Sequence, residues 1–193
     1  REIMGLLIRL KTAYAPKFIW IELGLQTIHE KTAAFIRRGY PLSCFADCLN
    51  RLYDANIPVI AHVILGLPGE TKSDMLETIE YLNATPVSGI KLQLLHILKD
   101  TDLGQLYLEA PDQYCRLNSL EQYLDVLIPC ITHLRADIVI HRLTGDAPAP
   151  LLLAPPFSRN KRLVLNTLHK KMKEQHAFQG QYFTERKKPC TIL

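Results

Sequence analysis

Apolar positions along the chain switch between a period of two and a period near 3.6, and the switches recur in a fixed order. Ile19, Ile21 and Leu23 alternate with other residues and predict a strand over Ile19–Gly24, followed by amphipathic helices over His29–Arg38 and Leu42–Asn56. The order then repeats. Pro58–Gly66 reads as a buried strand. Thr71 caps a helix with Asp74 three residues on, and Met75, Leu76, Ile79 and Leu82 form that helix's core face. Gly89–Ile97 is a third strand. Strands joined by helical crossovers pair in parallel, because a right-handed βαβ connection is nearly the only way to link them. An α/β fold follows. Ahead of it, Met4, Leu7 and Ile8 lie on one face of an opening helical pattern; beyond Thr101 the order loosens. There the pattern predicts a helix over Ser119–Leu134, a short strand over Ile138–Ile140, a Pro-rich stretch over Ala147–Pro156 and a last helix over Arg159–Gln175.

Polar residues interrupt the strands at positions that matter. Glu22 shares a side of its strand with Trp20 and Gly24, opposite Ile19, Ile21 and Leu23, and a carboxylate buried there must be paired or bind something. In a barrel that phase faces the interior, so Glu22 and Gln26 point at whatever fills it; the plainer alternative is a salt bridge to a nearby lysine or arginine. Gly66-Leu67-Pro68-Gly69-Glu70-Thr71 turns from strand to helix, with glycines that let a ligand approach the backbone. On the third strand Lys91 and Gln93 alternate with Ile90, Leu92 and Leu94, and His96 follows. Lys91 reads either as the Schiff-base nucleophile of a barrel lyase or as a partner for Glu22. His96 reads as an acid, base or donor, or as a satisfied core histidine. Cys44 and Cys48 stand four apart, but Cys48 falls in the stripe Phe45, Cys48, Leu49, Leu52, which favours core packing over metal binding.

Composition narrows the class. A chain of 193 residues with net charge +4 and 48% hydrophobic residues supports one sizeable core. No apolar run approaches the ~18 residues of a membrane span. Five irregularly spaced cysteines do not form a disulfide framework and suggest a reducing cytoplasm. Lys161, Arg162, Lys170, Lys171, Lys173, Arg186, Lys187 and Lys188 gather positive charge near the end, as a solvated helix face or a surface for phosphate. A non-catalytic module binding RNA or protein through that surface is a further alternative. The opening at Arg1, inside an amphipathic pattern, reads as a fragment.

Taken together, Glu22-Leu23-Gly24-Leu25-Gln26-Thr27, Ile36-Arg37-Arg38-Gly39-Tyr40, His62 to Glu70, Lys91 to His96 and His141-Arg142-Leu143-Thr144-Gly145-Asp146-Ala147-Pro148 resemble the radical S-adenosylmethionine superfamily. Within it they are most similar to the YhcC-like group, related to the tRNA-modifying Elongator catalytic subunit and to oxygen-independent coproporphyrinogen oxidase. Leu153 to Pro156, Asn160-Lys161 and Gln179-Gly180 match the same group. The resemblance implies a partial (β/α)6 TIM-like barrel, with residues 1–101 as its carboxyl half and 102–193 as a mostly helical C-terminal extension. It implies a 4Fe-4S cluster that cleaves S-adenosylmethionine to a 5′-deoxyadenosyl radical, a reductant such as flavodoxin or ferredoxin, and RNA as the favoured substrate, with no DNA and no membrane. The cluster's C-x-x-x-C-x-x-C motif is absent from these residues: Cys44 and Cys48 have its first interval, but position 51 is arginine. The cluster ligands are therefore expected upstream of residue 1, with no metal ligand in this chain and no catalysis by it alone. By resemblance, Glu22 contacts the methionyl amino group or ribose, Gln26 supports the ribose, and Arg38 pairs with the carboxylate. The backbone of Ile64 to Gly66 lines the adenine, and His96 joins the cofactor site. In the superfamily's G-x-I-x-G-x-x-E pattern, His62 stands for the first glycine and Gly69 for the glutamate.

Overall fold

The computed structural model describes residues 2–15 and 17–184. Cys190 and the Arg186-Lys187-Lys188 part of the basic cluster lie outside the described residues. Four strands, β1 (Ile21–Gln26), β2 (Val59–Leu65), β3 (Gly89–Leu94) and β5 (Val139–Arg142), form one parallel sheet in the order β1-β2-β3-β5. Each is joined to the next by helices, as the alternation of periods requires. The crossovers are α2 (Glu30–Phe35) with α3 (Leu42–Asp54), then α4 (Lys72–Asn83), then α7 (Leu120–His133) preceded by the short α5 (Asp102–Glu109) and α6 (Pro111–Tyr114). One register row runs across the sheet through Gly24, His62, Lys91 and Arg142.

The helices cover one face of the sheet. Leu25 from β1, Ala61, Val63 and Leu65 from β2, and Ile90, Leu92 and Leu94 from β3 are buried there against Phe45, Leu49 and Leu52 of α3, Met75, Ile79 and Leu82 of α4, and Leu124, Leu127 and Ile131 of α7. Removing one such side chain to alanine costs about 2–5 kcal/mol. The Thr71–Asp74 capping box closes the start of α4, and Ser119–Gln122 does the same for α7.

Several boundaries depart from the periodicity. The third strand ends at Leu94, and Ile97–Leu98 forms a separate strand, β4, that pairs antiparallel with β6 (Leu152–Ala154) inside the Pro-rich stretch. Strands this short leave too few positions for alternation to register. α5 and α6 were likewise too short to show. In α1 (Glu2–Ala13), Met4 and Leu7 pack against the core, but Ile8 faces solvent, and the helix is tied down by Lys11 Nζ, which donates to Ala55 O and Asn56 O at 3.1 and 2.8 Å. Cys48 is half-buried against the core as its stripe predicts; Cys44 is exposed. The last helix, α8, spans Lys161–Glu174 and buries Val164 and Leu168.

Candidate functional site

The other face of the sheet carries the polar residues. Along β2 and β3 the buried positions alternate with half-buried His62, Ile64, Lys91 and Gln93. At its centre Glu22 Oε2 accepts from Lys91 Nζ at 2.5 Å and from His62 Nε2 at 2.7 Å, while Gln93 Nε2 lies 3.3 Å from His62 Nδ1. With Gln93 donating to Nδ1, the imidazole carries its proton on Nε2 and donates it to Glu22. The lysine hydrogen bond, followed by the bond from His62 and the charge of Lys91, holds the Glu22 carboxyl down at about 2, against the opposing effect of burial. Glu22 is thus ionised at neutral pH, and neither bond uses Oε1. Its surroundings correct the expectation of a buried charge: the Glu22 side chain is 37% exposed, whereas its partner Lys91 is 17% exposed.

The ends of β1 and β2 are sharply turned. Gln26 has φ of 64°, a left-handed value for a residue with a side chain, and sits at a break in the pairing between Gly24 and Gln26. Gly24 accommodates it. A Cβ there would lie 2.7 Å from Gln26 Nε2, and the Tyr40 hydroxyl donates to the Gly24 carbonyl. Gly66 has φ of 86° and donates its N–H to Met75 Sδ at 3.2 Å; a Cβ there would come within 2.9 Å of Leu117.

Three buried side-chain atoms among the described residues have no hydrogen-bond partner: Glu70 Oε1, His96 Nε2 and Thr144 Oγ1. They follow the carboxyl ends of β2, β3 and β5 respectively. Burial raises the Glu70 carboxyl above its ordinary value, against the opposing effect of the Thr27 hydroxyl and the His29 charge. Burial lowers the His96 imidazole, against the opposing charge of Asp146. Such atoms are rare in folded proteins and mark sites where a ligand or a shift supplies the partner. The carboxyl edge of a parallel sheet is where α/β proteins place their ligands.

Each residue singled out in the sequence has a definite place. Glu22 lies on the open face, and Ile64 is half-buried two residues beyond His62, which shares that face. Gln26 and Gly66 form the strand-end turns, and His96 packs on Gly145 beyond β3. Lys91 joins Glu22 in an ion pair, the salt-bridge alternative of the two readings open for it. Arg38 is placed differently. Its side chain is 2% exposed, and its guanidinium donates from Nε to Tyr40 O, from Nη1 to Leu25 O and Thr27 O, and from Nη2 to both carboxylate oxygens of Glu30. All three guanidinium nitrogens are engaged within the chain, so Arg38 clamps the end of β1. Residue patterns alone did not single out Glu70 or Thr144, because their signal is a missing partner.

Two other features carry less. His29, Asp74 and Glu77 bring ligand atoms within 4.8 Å of one another, but Asp74 is already the helix cap, accepting from Thr71 N and Oγ1 at 2.7 Å each. A cleft of about 1400 Å3 lies at the opposite, amino-terminal edge, against Asn83, Thr85, Ser88 and Arg135. Despite its size, its Arg135 and Asn83 side chains are paired. Arg135 Nη1 donates to Asn83 O and Thr85 O, its Nη2 donates to Val87 O, and Asn83 Nδ2 donates to His133 O.

Residues 3–82 match the model of the Radical SAM superfamily, and residues 87–174 match that of the Radical_SAM C-terminal domain. The chain is 34% identical over 166 residues to YtqA of Bacillus subtilis (strain 168), covering 86% of this chain and 51% of that protein. It is 36% identical over 164 residues to Protein YhcC of Escherichia coli (strain K12), covering 84% and 51%. It therefore spans about half the length of these curated relatives. Among solved structures, an archaeal Methanocaldococcus infernus Elp3 lacking its N-terminus superposes with a TM-score of 0.69 at 14% identity, over 83% of this chain and 37% of that one. That likeness is one of fold.

Proposed function

Because the chain belongs to the radical S-adenosylmethionine superfamily, within its YhcC-like group, we propose that the open face carrying Glu22 is part of the S-adenosylmethionine site of a radical enzyme acting on RNA. The observation that carries this reading is the ionised Glu22 carboxylate, fixed through Oε2 by Lys91 and His62. A carboxylate so placed suits the donors of S-adenosylmethionine, an ammonium and two ribose hydroxyls. Gln26 and half-buried Ile64 line the same side, for ribose and adenine, and Gly66 keeps its turn free of a side chain. Arg38 does not fit the role of carboxylate partner, since its donors are engaged within the chain. Held there, S-adenosylmethionine would supply the chemistry of hydrogen-atom abstraction in the intact protein.

The residues present do not fit the cluster itself. Cys44 is exposed, Cys48 packs against the core, and no third cysteine follows at the required interval. The cluster and its reductant, flavodoxin or ferredoxin, therefore belong in this proposal to the intact protein. No helix among the described residues is long and apolar enough to cross a membrane, and the four described cysteines are unpaired, both in keeping with a cytoplasmic enzyme. RNA is favoured by the group's relation to the Elongator subunit and by the basic residues of α8.

The test uses the intact protein, reconstituted anaerobically. It should assemble a cluster and release 5′-deoxyadenosine on reduction, and Glu22→Gln should weaken S-adenosylmethionine binding in equilibrium dialysis by about 10-fold, the loss of one charge-assisted bond. Full-strength binding by that variant would remove Glu22 from the site.

A further inference from the structure

Three arginines with long-range roles can be compared by what their guanidinium groups touch. Arg38 and Arg135 direct nearly all their donors at backbone carbonyls and nearby carboxylates. Arg142 does not. It ends β5 beside Lys91 in the register row, its side chain is 37% exposed, and its ion-pair contact among the described residues, Asp146, lies 3.9 Å from Nη2, beyond hydrogen-bond reach. On the other side of Asp146, Lys161 Nζ donates to both carboxylate oxygens at 2.8 and 2.9 Å. Lys161 is also the first residue of α8, whose N-terminal dipole adds positive potential at the same point.

One exposed carboxylate thus stands between two cations and a 14-residue helix's N-terminus, leaving a positive excess beyond the carboxyl end of β5. The connecting loop contains Thr144 Oγ1, buried with no partner, and Gly145, against which His96 packs with its own Nε2 unpartnered. A Cβ on Gly145 would come within 2.8 Å of the His96 ring, so the loop and the histidine are fitted closely together. Unengaged guanidinium donors and an excess of positive charge thus flank a short segment that also holds an orphaned hydroxyl. A tetrahedral anion, with three or four acceptor oxygens, is the chemistry that answers the open donors and the charge.

We propose that Arg142 and Lys161, bracketing Asp146, form a phosphate-binding site at the carboxyl edge of β5 through which the enzyme holds the backbone of its RNA substrate. Asp146 holds the two cations in place and competes with the arriving phosphate. The inference rests on the RNA reading above, and its test separates the two.

The experiment titrates the 193-residue chain into a fluorescent single-stranded RNA oligonucleotide at several salt concentrations, and separately follows its amide signals during titration with inorganic phosphate. The double variant Arg142→Ala, Lys161→Ala should bind RNA at least 10-fold more weakly at low salt, with the log–log salt slope reduced by roughly 0.7, the value for one phosphate contact on a single strand. Arg142→Lys, which keeps the charge, should retain most of the slope and guards against a folding artefact. Asp146→Asn should tighten binding a few-fold. Unchanged RNA affinity and slope in the double variant, with its fold intact by circular dichroism, would overturn the site while leaving the RNA reading standing. Absence of RNA binding, with inorganic phosphate shifting the Thr144 and His96 signals only in the parent chain, would keep the phosphate site, overturn RNA as its ligand and assign it to a small phosphorylated substrate.

Discussion

At the amino-terminal edge of the sheet, Arg135 binds three carbonyls that end α4 and lead into β3, Asn83 spans to α7, and Gln179 Nε2 donates to Arg135 O and Ile138 O. At the carboxyl edge, Glu70, His96 and Thr144 each keep a buried atom unpaired, and Arg142 leaves its donors open. The larger cleft is at the first edge, yet the unpaired polar atoms are at the second. Volume says where a chain leaves room; unmatched donors and acceptors say where it keeps reactivity in hand.

The largest effect should come from the satisfied edge. Arg135→Ala removes donors to three part-buried carbonyls and should lower stability by about 2–4 kcal/mol in urea denaturation. A loss under ~0.5 kcal/mol would break the contrast. Next, Gly66→Ala places a side chain at φ of 86° against Leu117 and should cost about 1–3 kcal/mol by the same measurement. Glu70→Gln should act in the opposite direction. Because burial raises its carboxyl above 4.5, the folded state holds that proton more tightly than the unfolded chain, so its contribution is best at low pH and declines as pH rises past 4.5. The variant should therefore be more stable than the parent at pH 7, by about 1 kcal/mol, and should lose that pH-dependent decline in thermal melts. Glu22 has the opposite sign: held at about 2, it adds stability above 4.5 that is lost as pH falls toward 2. The smallest effect is expected at Arg142→Ala, within ~0.5 kcal/mol of the parent, since no hydrogen bond of its guanidinium is lost. A larger loss would show that this arginine supports the fold after all.

The βα order was legible because each long element repeats its apolar period several times, and the turn after β2 was legible because Gly66 and Gly69 suit its left-handed positions. The Glu22–Lys91 pair was legible as one of two readings, since both residues break apolar strands on matching phases. The role of Arg38 was not, because its partners are carbonyls of Leu25, Thr27 and Tyr40, and every residue has a carbonyl. The exposure of Glu22 was equally hidden: alternation shows that a strand has two faces, not what covers them. β4 and β6 escaped for lack of length. Arg142 stood within a matched motif, but its distinguishing property is the absence of contacts, which only coordinates reveal.

The convergence of Lys91 and His62 on a single oxygen of Glu22, with the Trp20 indole beside the group, does more than balance charge. It immobilises the carboxylate before anything arrives. A flexible side chain gives up about 0.5–1.5 kcal/mol of rotamer freedom when a partner fixes it; here that entropy is already lost when the sheet assembles, so an incoming donor meets an acceptor whose direction is set by folding and not by binding.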